Sequence, residues 1–232
     1  MALKRAFDVT ASALGLPLLL PAMILIAIII KLDSPGPVFF RQVRVGRAGR
    51  PFRIFKFRSM VVDAARTGTA LTVHADPRIT RVGRFLRRTK LDELPQVFNI
   101  LAGDMSIVGP RPEVPEFMKF YSPEQRAVIL SMRPGVTDYA AILFRDESAL
   151  LEQNRDPAEF YRTVIMPIKF FWYERYSREI GVLNDLRIII ATAFILISGR
   201  EPRWLGIECT PRLGDRRLPA GTGSIAKLFP PK

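Results

Sequence analysis

The architecture of this chain depends first on residues 9–30, VTASALGLPLLLPAMILIAIII, a run of 22 residues without a charge between Asp8 and Lys31. A straight helix of this length reaches about 33 Å, which is enough to cross a bilayer. The run is long for a signal peptide, and no small-residue cleavage site separates it from Lys31. It therefore predicts a membrane helix.

Two prolines inside the run, Pro17 and Pro21, predict that this helix bends. Each proline lacks a backbone N–H and clashes with the preceding turn. Lys4 and Arg5 precede the run and Lys31 follows it, and the positive-inside tendency keeps basic flanks in the cytoplasm. A re-entrant helix that returns to the same face satisfies both observations, whereas a proline-kinked span is the alternative.

Composition is typical of a folded chain with few options for metal chemistry. Of 232 residues, 48% are apolar and 25% are charged, which suits one or two domains. Cys209 and His74 are the only residues of their types, which excludes an internal disulfide and a zinc site of several Cys and His ligands. His74 is typical of a loop, and Cys209 receives no role. A metal would be held by oxygen, as Mg²⁺ is.

The positive charge is concentrated in one segment. The net charge is +13, and residues 41–111 hold fifteen Lys and Arg against five Asp and Glu. Such an excess indicates an anionic partner: nucleic acid, a phosphate ligand or an acidic membrane surface. Attraction to anionic lipid alone is the simpler interpretation, but fifteen cations are more than anchoring needs.

Local patterns predict an α+β fold that is mostly helical. A small β-hairpin joins Val38–Val45 to Phe52–Arg58 through a glycine turn, and residues 62–80 form a polar loop. Residues 188–197 are too short to span a membrane, so they predict an interfacial amphipathic helix or, alternatively, a core segment. Further helices are predicted around Val82–Leu86, from Leu91–Asp92 to Gly103, from a capping box at Ser122 to about Met132, and after Asp156.

Two adjacent carboxylates, Asp92 and Glu93, are the candidates for chemistry. They lie at a predicted helix start, where the helix N-terminus favours the ionised form. Because consecutive helical side chains project about 100° apart, one could attack phosphorus while the other holds a metal. The alternative is structural, since Thr89-x-x-Asp92 also matches a capping pattern.

Arg111 is a candidate phosphate ligand because Pro110 and Pro112 restrict its backbone on both sides. A fork-shaped guanidinium suits a phosphate or pyrophosphate. A rigid surface turn is the alternative. The sequence has no Walker loop, no G-x-G-x-x-G and no G-x-S-x-G.

Seven short motifs occur in a specific order. They are KRAFD (4–8), DSPGPVFFRQ (33–42), FKFRSM (55–60), LDELPQ (91–96), GDMS (103–106), VGPRP (108–112) and RPG (133–135). Each motif alone is modest. Together they resemble the bacterial sugar transferases called monotopic phosphoglycosyl transferases, over about residues 3–198.

The resemblance implies an enzyme that moves a sugar 1-phosphate from a UDP-sugar to polyprenyl (undecaprenyl) phosphate, releases UMP and requires Mg²⁺. This would be the first membrane step of polysaccharide or glycoconjugate synthesis. Asp92 matches the family's nucleophile, which forms a phosphosugar–enzyme intermediate, and Glu93 matches its Mg²⁺ ligand. The candidate substrate-binding cations are Lys56, Arg58, Arg87, Arg88, Arg111 and Arg133.

The resemblance also implies a monotopic protein on the cytoplasmic face of the bacterial inner membrane, in contact with membrane lipids and without nucleic acid. Pro21 matches the break in the family's re-entrant helix, and Pro17 is an additional breaker. Leu20 stands where many members have Ser, so one hydrogen bond that supports the bend is absent. The predicted division is a membrane helix (1–32), a catalytic domain with interfacial helices (33–199) and a weakly ordered tail (200–232). A homodimer is compatible with this scheme.

One segment departs from the family pattern. Asp138 and Tyr139 stand where many members have Gly and Trp, and residues 141–147 differ as well. If this segment lines the sugar pocket, the identity of the sugar does not carry over. The Asp92–Glu93 pair lies outside this segment, so the reaction class does carry over from the family.

Three other functions remain alternatives on the sequence. A membrane-anchored, non-enzymatic binder of anionic lipid or nucleic acid explains the charge but not the adjacent acids. A glycosyltransferase would release UDP instead of UMP. A scaffold with a dead site is disfavoured by the intact Asp92–Glu93 pair and Arg111.

Overall fold

The computed structural model describes residues 2–64, 72 and 76–200. His74, Cys209 and the tail beyond Arg200 lie outside them. The fold is α+β and mostly helical, as predicted. The strands are β1 (Phe39–Val45), β2 (Pro51–Phe57), β3 (Ser106–Val108) and β4 (Gly135–Thr137). The helices are α1 (Ala2–Asp33), α2 (Arg81–Thr89), α3 (Gln96–Ala102), α4 (Pro115–Met118), α5 (Pro123–Ser131), α6 (Tyr139–Leu143), α7 (Glu147–Glu152), α8 (Pro157–Phe160), α9 (Met166–Arg178) and α10 (Val182–Ser198).

The first helix, α1, has two different faces. One face packs on the rest of the protein through Asp8, Ser12, Met23, Ile26 and Ile30. The opposite face exposes apolar side chains that include Leu14, Leu18, Leu25 and Ile28. Among the described helices, α1 is the one long and apolar enough to cross a membrane. The backbone stays helical through Pro17 and Pro21, and the bend at these residues stays a prediction.

The start of α1 is tied to the folded unit by polar contacts. Lys4 Nζ donates to Asp185 Oδ2 on α10 at 2.5 Å. The buried Asp8 carboxylate accepts from Ser106 Oγ at 2.8 Å and from the backbone N–H of Ile107 at 3.1 Å. Arg5 donates to two carbonyl oxygens at the end of α3. These contacts attach the helix start to elements that lie far away in the sequence.

The end of α1 is attached to the same unit. Ile26 and Ile30 pack with Phe57 of β2 and Leu86 of α2 in one buried apolar cluster. Arg58 donates to the carbonyl oxygens of Pro35 at 2.7 Å and of Ser34 at 2.6 Å. Both ends of α1 therefore pack against the same folded unit.

The predicted hairpin is confirmed. Strands β1 and β2 pair antiparallel, with Phe39 opposite Phe57 and Val45 opposite Pro51. The turn between them is a 3₁₀ segment, Arg47–Gly49, in which Ala48 and Gly49 have positive φ. Ile54 and Phe57 are buried on opposite faces of β2, and Lys56 lies on the same face as Ile54 because side chains two residues apart in a strand share a face.

The helix predicted to begin near Leu91–Asp92 begins later. Residues Leu91–Glu93 form a separate 3₁₀ turn, and α3 begins at Gln96 with Pro95 as its N-cap. Pro95 has no N–H to continue the ladder from the first turn into the helix. The sequence prediction was therefore wrong by about one turn. The capping box at Ser122–Gln125 and the Asp156 cap are confirmed.

A short parallel sheet joins β3 to β4, with Ser106 opposite Gly135 and Val108 opposite Thr137. The backbones meet closely beside it, because a Cβ on Gly135 would lie 2.1 Å from the backbone nitrogen of Gly109. Glycine is required where two backbones approach this closely. The sheet holds the segment that carries Arg111 against the segment that follows Gly135.

Residues 188–197 lie in α10, where core packing is confirmed, whereas a location at the membrane interface stays a prediction. Its buried residues Ile188, Ala191 and Ile195 belong to the main apolar core, which is built largely from α5, α6, α9 and α10. Ile190 and Ile197 on the other side are exposed, Ile197 by 87%. Both sides of the helix are thus largely apolar, one packed in the core and the other exposed.

Candidate active site

The Asp92–Glu93 pair lies in a large cleft of about 1340 Å³. A tight turn puts it there: α2 ends at Lys90, whose left-handed conformation (φ 58°) starts the 3₁₀ turn that carries both acids. Both carboxylates are buried, and both line the cleft. The turn places two adjacent acids at one polar wall, as the sequence predicts.

Glu93 is held by four N–H donors. Arg111 donates to both oxygens, at 3.0 and 2.5 Å. Lys56 Nζ donates to Oε1 and Gln96 Nε2 to Oε2, each at 3.0 Å. A carboxylate has about four acceptor sites, so this set occupies all of them. Burial alone would raise the pKa of Glu93, but Arg111 and Lys56 hold that pKa well below its usual range.

Asp92 differs from its neighbour although both are buried. Its Oδ1 has no hydrogen-bond partner among the described residues. Burial raises the pKa of Asp92, against the opposing effect of Lys56. A buried carboxylate with an unused oxygen costs stability, and such a cost is typical of a group that serves a ligand or a reaction.

Cations surround the pair on the cleft wall. The predicted residues Lys56, Arg87, Arg88 and Arg111 all line the cleft, together with Lys90. Burial lowers the pKa of Lys56 and of Lys90, while Glu93 raises the pKa of Arg111. A concave wall with these cations attracts a polyanionic ligand such as a diphosphate.

Two of the predicted substrate-binding residues have other contacts. The Arg58 guanidinium borders the cleft, but its hydrogen bonds go to the end of α1 and the loop after it. Arg133 donates Nε to the carbonyl oxygen of Gly103 at 3.0 Å and is not part of the cleft lining. The geometry thus brings together four of the six predicted cations.

Sequence reasoning missed Gln96. This residue is 1% exposed, and its side-chain amide holds Glu93. The signal was present, because Gln96 follows Glu93 by three residues, a spacing at which helical side chains meet. Asn99, also missed, ties α3 to β2 by accepting from the backbone N–H of Phe55 and donating to the carbonyl of Arg53.

The acids offer oxygen ligands for a metal, with a restriction. Among the described residues, no three His, Cys, Asp or Glu side chains are grouped to hold an ion. The unused Asp92 Oδ1 and the neighbouring Glu93 fit Mg²⁺, which is commonly bound by one or two carboxylates plus substrate phosphates and water. Glu93 could bind the metal only if Lys56 or Arg111 released its hydrogen bond to one of the Glu93 oxygens.

The fold thus combines a helix that is long and apolar enough to cross a membrane with a site of paired acids within a cationic wall. Residues 1–199 match the family model described as Bacterial sugar transferase. The chain therefore belongs to the bacterial sugar transferase family, as the motif order predicts.

Three relatives illustrate the match. "Exopolysaccharide production protein PSS" of Rhizobium leguminosarum bv. phaseoli is 44% identical over 83% of this chain and 94% of its own length. "UDP-glucose:undecaprenyl-phosphate glucose-1-phosphate transferase" of Escherichia coli (strain K12) is 41% identical over 83% of this chain and 39% of its own length. "Undecaprenyl-phosphate glucose phosphotransferase" of Komagataeibacter xylinus is 48% identical over 82% and 35%. This chain thus spans less than half of the latter two proteins.

Proposed function

We propose that this protein transfers a sugar 1-phosphate from a UDP-sugar to undecaprenyl or a related polyprenyl phosphate and releases UMP. The observation that carries the proposal is the buried Asp92 carboxylate, which has an unused oxygen beside a wall of cations. The names of the Escherichia coli and Komagataeibacter relatives describe sugar phosphotransferases that act on undecaprenyl phosphate, which supports the same acceptor here.

The reaction proceeds in two displacements. An Asp92 oxygen attacks the β-phosphorus of the UDP-sugar, and the bond from that phosphorus to the bridging oxygen breaks, so that UMP leaves with the electron pair. The polyprenyl phosphate oxygen then attacks the same phosphorus, and the Asp92 carboxylate leaves. The proton count does not change, and a carboxylate is a competent nucleophile at phosphorus.

The chain's own cations position the donor. In the free protein, Lys56 and Arg111 neutralise Glu93. When a diphosphate enters, these two cations can turn to its oxygens, which frees carboxylate lone pairs on Glu93. Mg²⁺, bound by Glu93 and the diphosphate, would supply additional charge neutralisation. Arg87, Arg88 and Lys90 complete the cationic wall.

We also propose that the protein is monotopic and sits on the cytoplasmic face of the membrane. Both ends of α1 contact one folded unit. A helix that crossed the bilayer would have to carry part of that unit across it as well. The exposed apolar face of α1 supports contact with lipid.

The test is nucleotide release from purified protein in lipid nanodiscs with Mg²⁺, undecaprenyl phosphate and a panel of UDP-sugars. UMP should appear with at least one donor and disappear in Asp92→Asn. Asp104→Asn is the matched control, because that carboxylate accepts from Asn99 Nδ2 and lies outside the cleft lining. UDP as the product would indicate simple glycosyl transfer. Normal turnover by Asp92→Asn would refute the covalent mechanism.

A further inference from the structure

The cleft has a second polar wall that the proposed reaction steps leave unused. It is lined by five residues from four segments of the chain, namely Glu113, Glu147, Tyr161, Lys169 and Tyr173. All except Glu147 are buried. We name these five residues the second wall.

Four members of the second wall form a connected network. The ammonium group of Lys169 contacts Glu147 Oε2 at 2.6 Å and Tyr161 OH at 3.2 Å. Tyr161 OH donates to Glu113 Oε1 at 2.9 Å. The network contains two carboxylates and one ammonium group, with Arg44 also near Glu113, so it attracts a phosphate less than the cationic wall does. Carboxylates and phenols instead suit neutral hydroxyl groups, which both donate and accept hydrogen bonds.

The fifth member has no partner. Tyr173 is 1% exposed, and its hydroxyl has no hydrogen-bond partner among the described residues. An unpaired buried hydroxyl costs free energy in the free protein. The side chain lines the cleft, so a ligand in the cleft can supply the missing partner.

The second wall and the Asp92–Glu93 pair line the same cleft. Glu113 follows Arg111 by two residues, and Arg111 contacts Glu93. In an in-line displacement the leaving UMP points away from the attacking Asp92. The sugar oxygen is an equatorial substituent of the same phosphorus and therefore stays beside the pair of acids.

We propose that the second wall is the sugar-binding subsite, in which Glu113, Glu147, Lys169 and Tyr173 bind sugar hydroxyls and set the preference among UDP-sugars. This inference rests on the proposed function. Glu147 lies at the end of the segment that departs from the family pattern (136–147), Lys169 and Tyr173 follow that segment, and Glu113 precedes it. Val136, Thr137, Ala140 and Ala141 of the segment also line the cleft.

Binding of UDP-glucose, UDP-N-acetylgalactosamine and UDP to the full-length protein in nanodiscs tests the subsite. Tyr173→Phe should weaken binding of the UDP-sugar that drives UMP release by about threefold to tenfold, the usual effect of one hydrogen bond. Its affinity for UDP should stay within about twofold, since UDP has no sugar at the β-phosphate. Its melting temperature should not fall, because the hydroxyl it loses has no partner.

Tyr176→Phe is the matched control. Tyr176 is as deeply buried, but its hydroxyl bonds Asp185 Oδ1 and the carbonyl of Val108 and lies outside the cleft lining. This variant should lower the melting temperature and leave the ratio of UDP-sugar to UDP affinity unchanged. Glu147→Gln, at a partly exposed residue, should change that ratio as Tyr173→Phe does.

Two results are decisive against the subsite. Equal weakening of UDP and UDP-sugar in Tyr173→Phe would assign the second wall to the nucleotide instead. No change with either ligand would leave the wall without a binding role. In both cases the wild type still releases UMP, whereas failure of the wild type to release UMP from any donor would overturn the proposed function and the subsite together.

Discussion

Both oxygens of Glu93 are engaged before any ligand binds, and Arg111 provides two of the four donors. A guanidinium fork can bond both oxygens of one carboxylate, whereas an ammonium group acts as a point charge. The pairing neutralises the buried Glu93 carboxylate, while the Arg111 side chain stays about one third exposed. It also keeps Arg111 at the position where a phosphate oxygen would arrive.

Arg111→Lys should therefore lower UMP release at least tenfold although the charge is conserved. Loss of one buried charge-assisted hydrogen bond costs about 1.5–3 kcal/mol. The measurement is kcat/KM for the donor. Arg175→Lys is the control, because Arg175 of α9 forms a partly exposed pair with Glu179, the residue that follows this helix. Equal rates for Arg111→Lys and the wild type would show that bidentate geometry is unimportant.

Asp138 is, like Asp92, a buried carboxylic acid whose ionisation is costly. Burial raises its pKa from 3.8 to about 6. Its Oδ1 caps α6 through the N–H of Ala141, and its Oδ2 has no partner among the described residues. Because the folded state holds this proton more tightly than the unfolded state, stability should fall as pH rises from about 4 through about 6.

Asp138→Asn should remove this dependence while it keeps the cap. At about 1.4 kcal/mol for each pKa unit, the gain at pH 8 is up to about 3 kcal/mol. At pH 4 the variant and the wild type should differ little. Thermal unfolding in nanodiscs across this pH range measures the difference. A variant that is less stable at pH 8 would contradict the prediction.

A site residue could be predicted from the sequence where its chemical type and its neighbours allow few functions. Adjacent acids downstream of arginines leave few functions, and Asp92, Glu93 and Arg111 indeed meet in the cleft. For Arg58 and Arg133, the sequence could not distinguish a structural role from a role in substrate binding. A guanidinium bonds carbonyl oxygens as readily as phosphates, and only tertiary structure decides which acceptor is near.

At the scale of elements, Arg58 joins β2 to the end of α1. Its guanidinium donates to Ser34 and Pro35 and is buried. Helix ends leave carbonyl oxygens unsatisfied, and here one side chain serves this end of the helix and the loop after it. The contacts indicate a structural role for Arg58, and a direct role in substrate binding stays a prediction.

Arg58→Lys separates the two roles. A lysine cannot reach several carbonyls at once, so unfolding free energy should fall by about 2–4 kcal/mol with little change in donor KM. The melting temperature and KM are measured together. Arg53→Lys, at an exposed position on β2, the strand that Arg58 follows, is the control. A raised KM at an unchanged melting temperature would instead support substrate binding.

The sequence predicted element boundaries correctly where they depend on interactions between residues close together in the chain. The Ser122 and Asp156 caps and the β1–β2 hairpin depend on neighbours within a few residues. The β3–β4 pair does not, because three-residue strands about thirty positions apart carry no periodic signal. The close approach of Gly109 and Gly135 is visible only once the chain is folded.

The whole molecule presents one apolar surface on α1 and another on α10, with exposed Leu18 and Ile197 as examples. If α1 is re-entrant, tags fused before Met1 and after Lys232 should both be accessible from the cytoplasmic side of inside-out vesicles and protected in right-side-out ones. A fusion with a known single-span helix provides the control. Accessibility on opposite sides would refute the monotopic arrangement and leave the chemistry open.

The contact between Lys4 and Asp185 also constrains how the protein is made. The two residues are 181 positions apart, and a ribosome adds about 5–20 residues per second. The first helix therefore waits on the order of ten seconds or more for its partner to be synthesised. During that interval Lys4 has no partner on α10, whereas its ion pair with Asp8 lies within α1 and is available from the start. The contact that joins the start of α1 to α10 therefore forms late in synthesis.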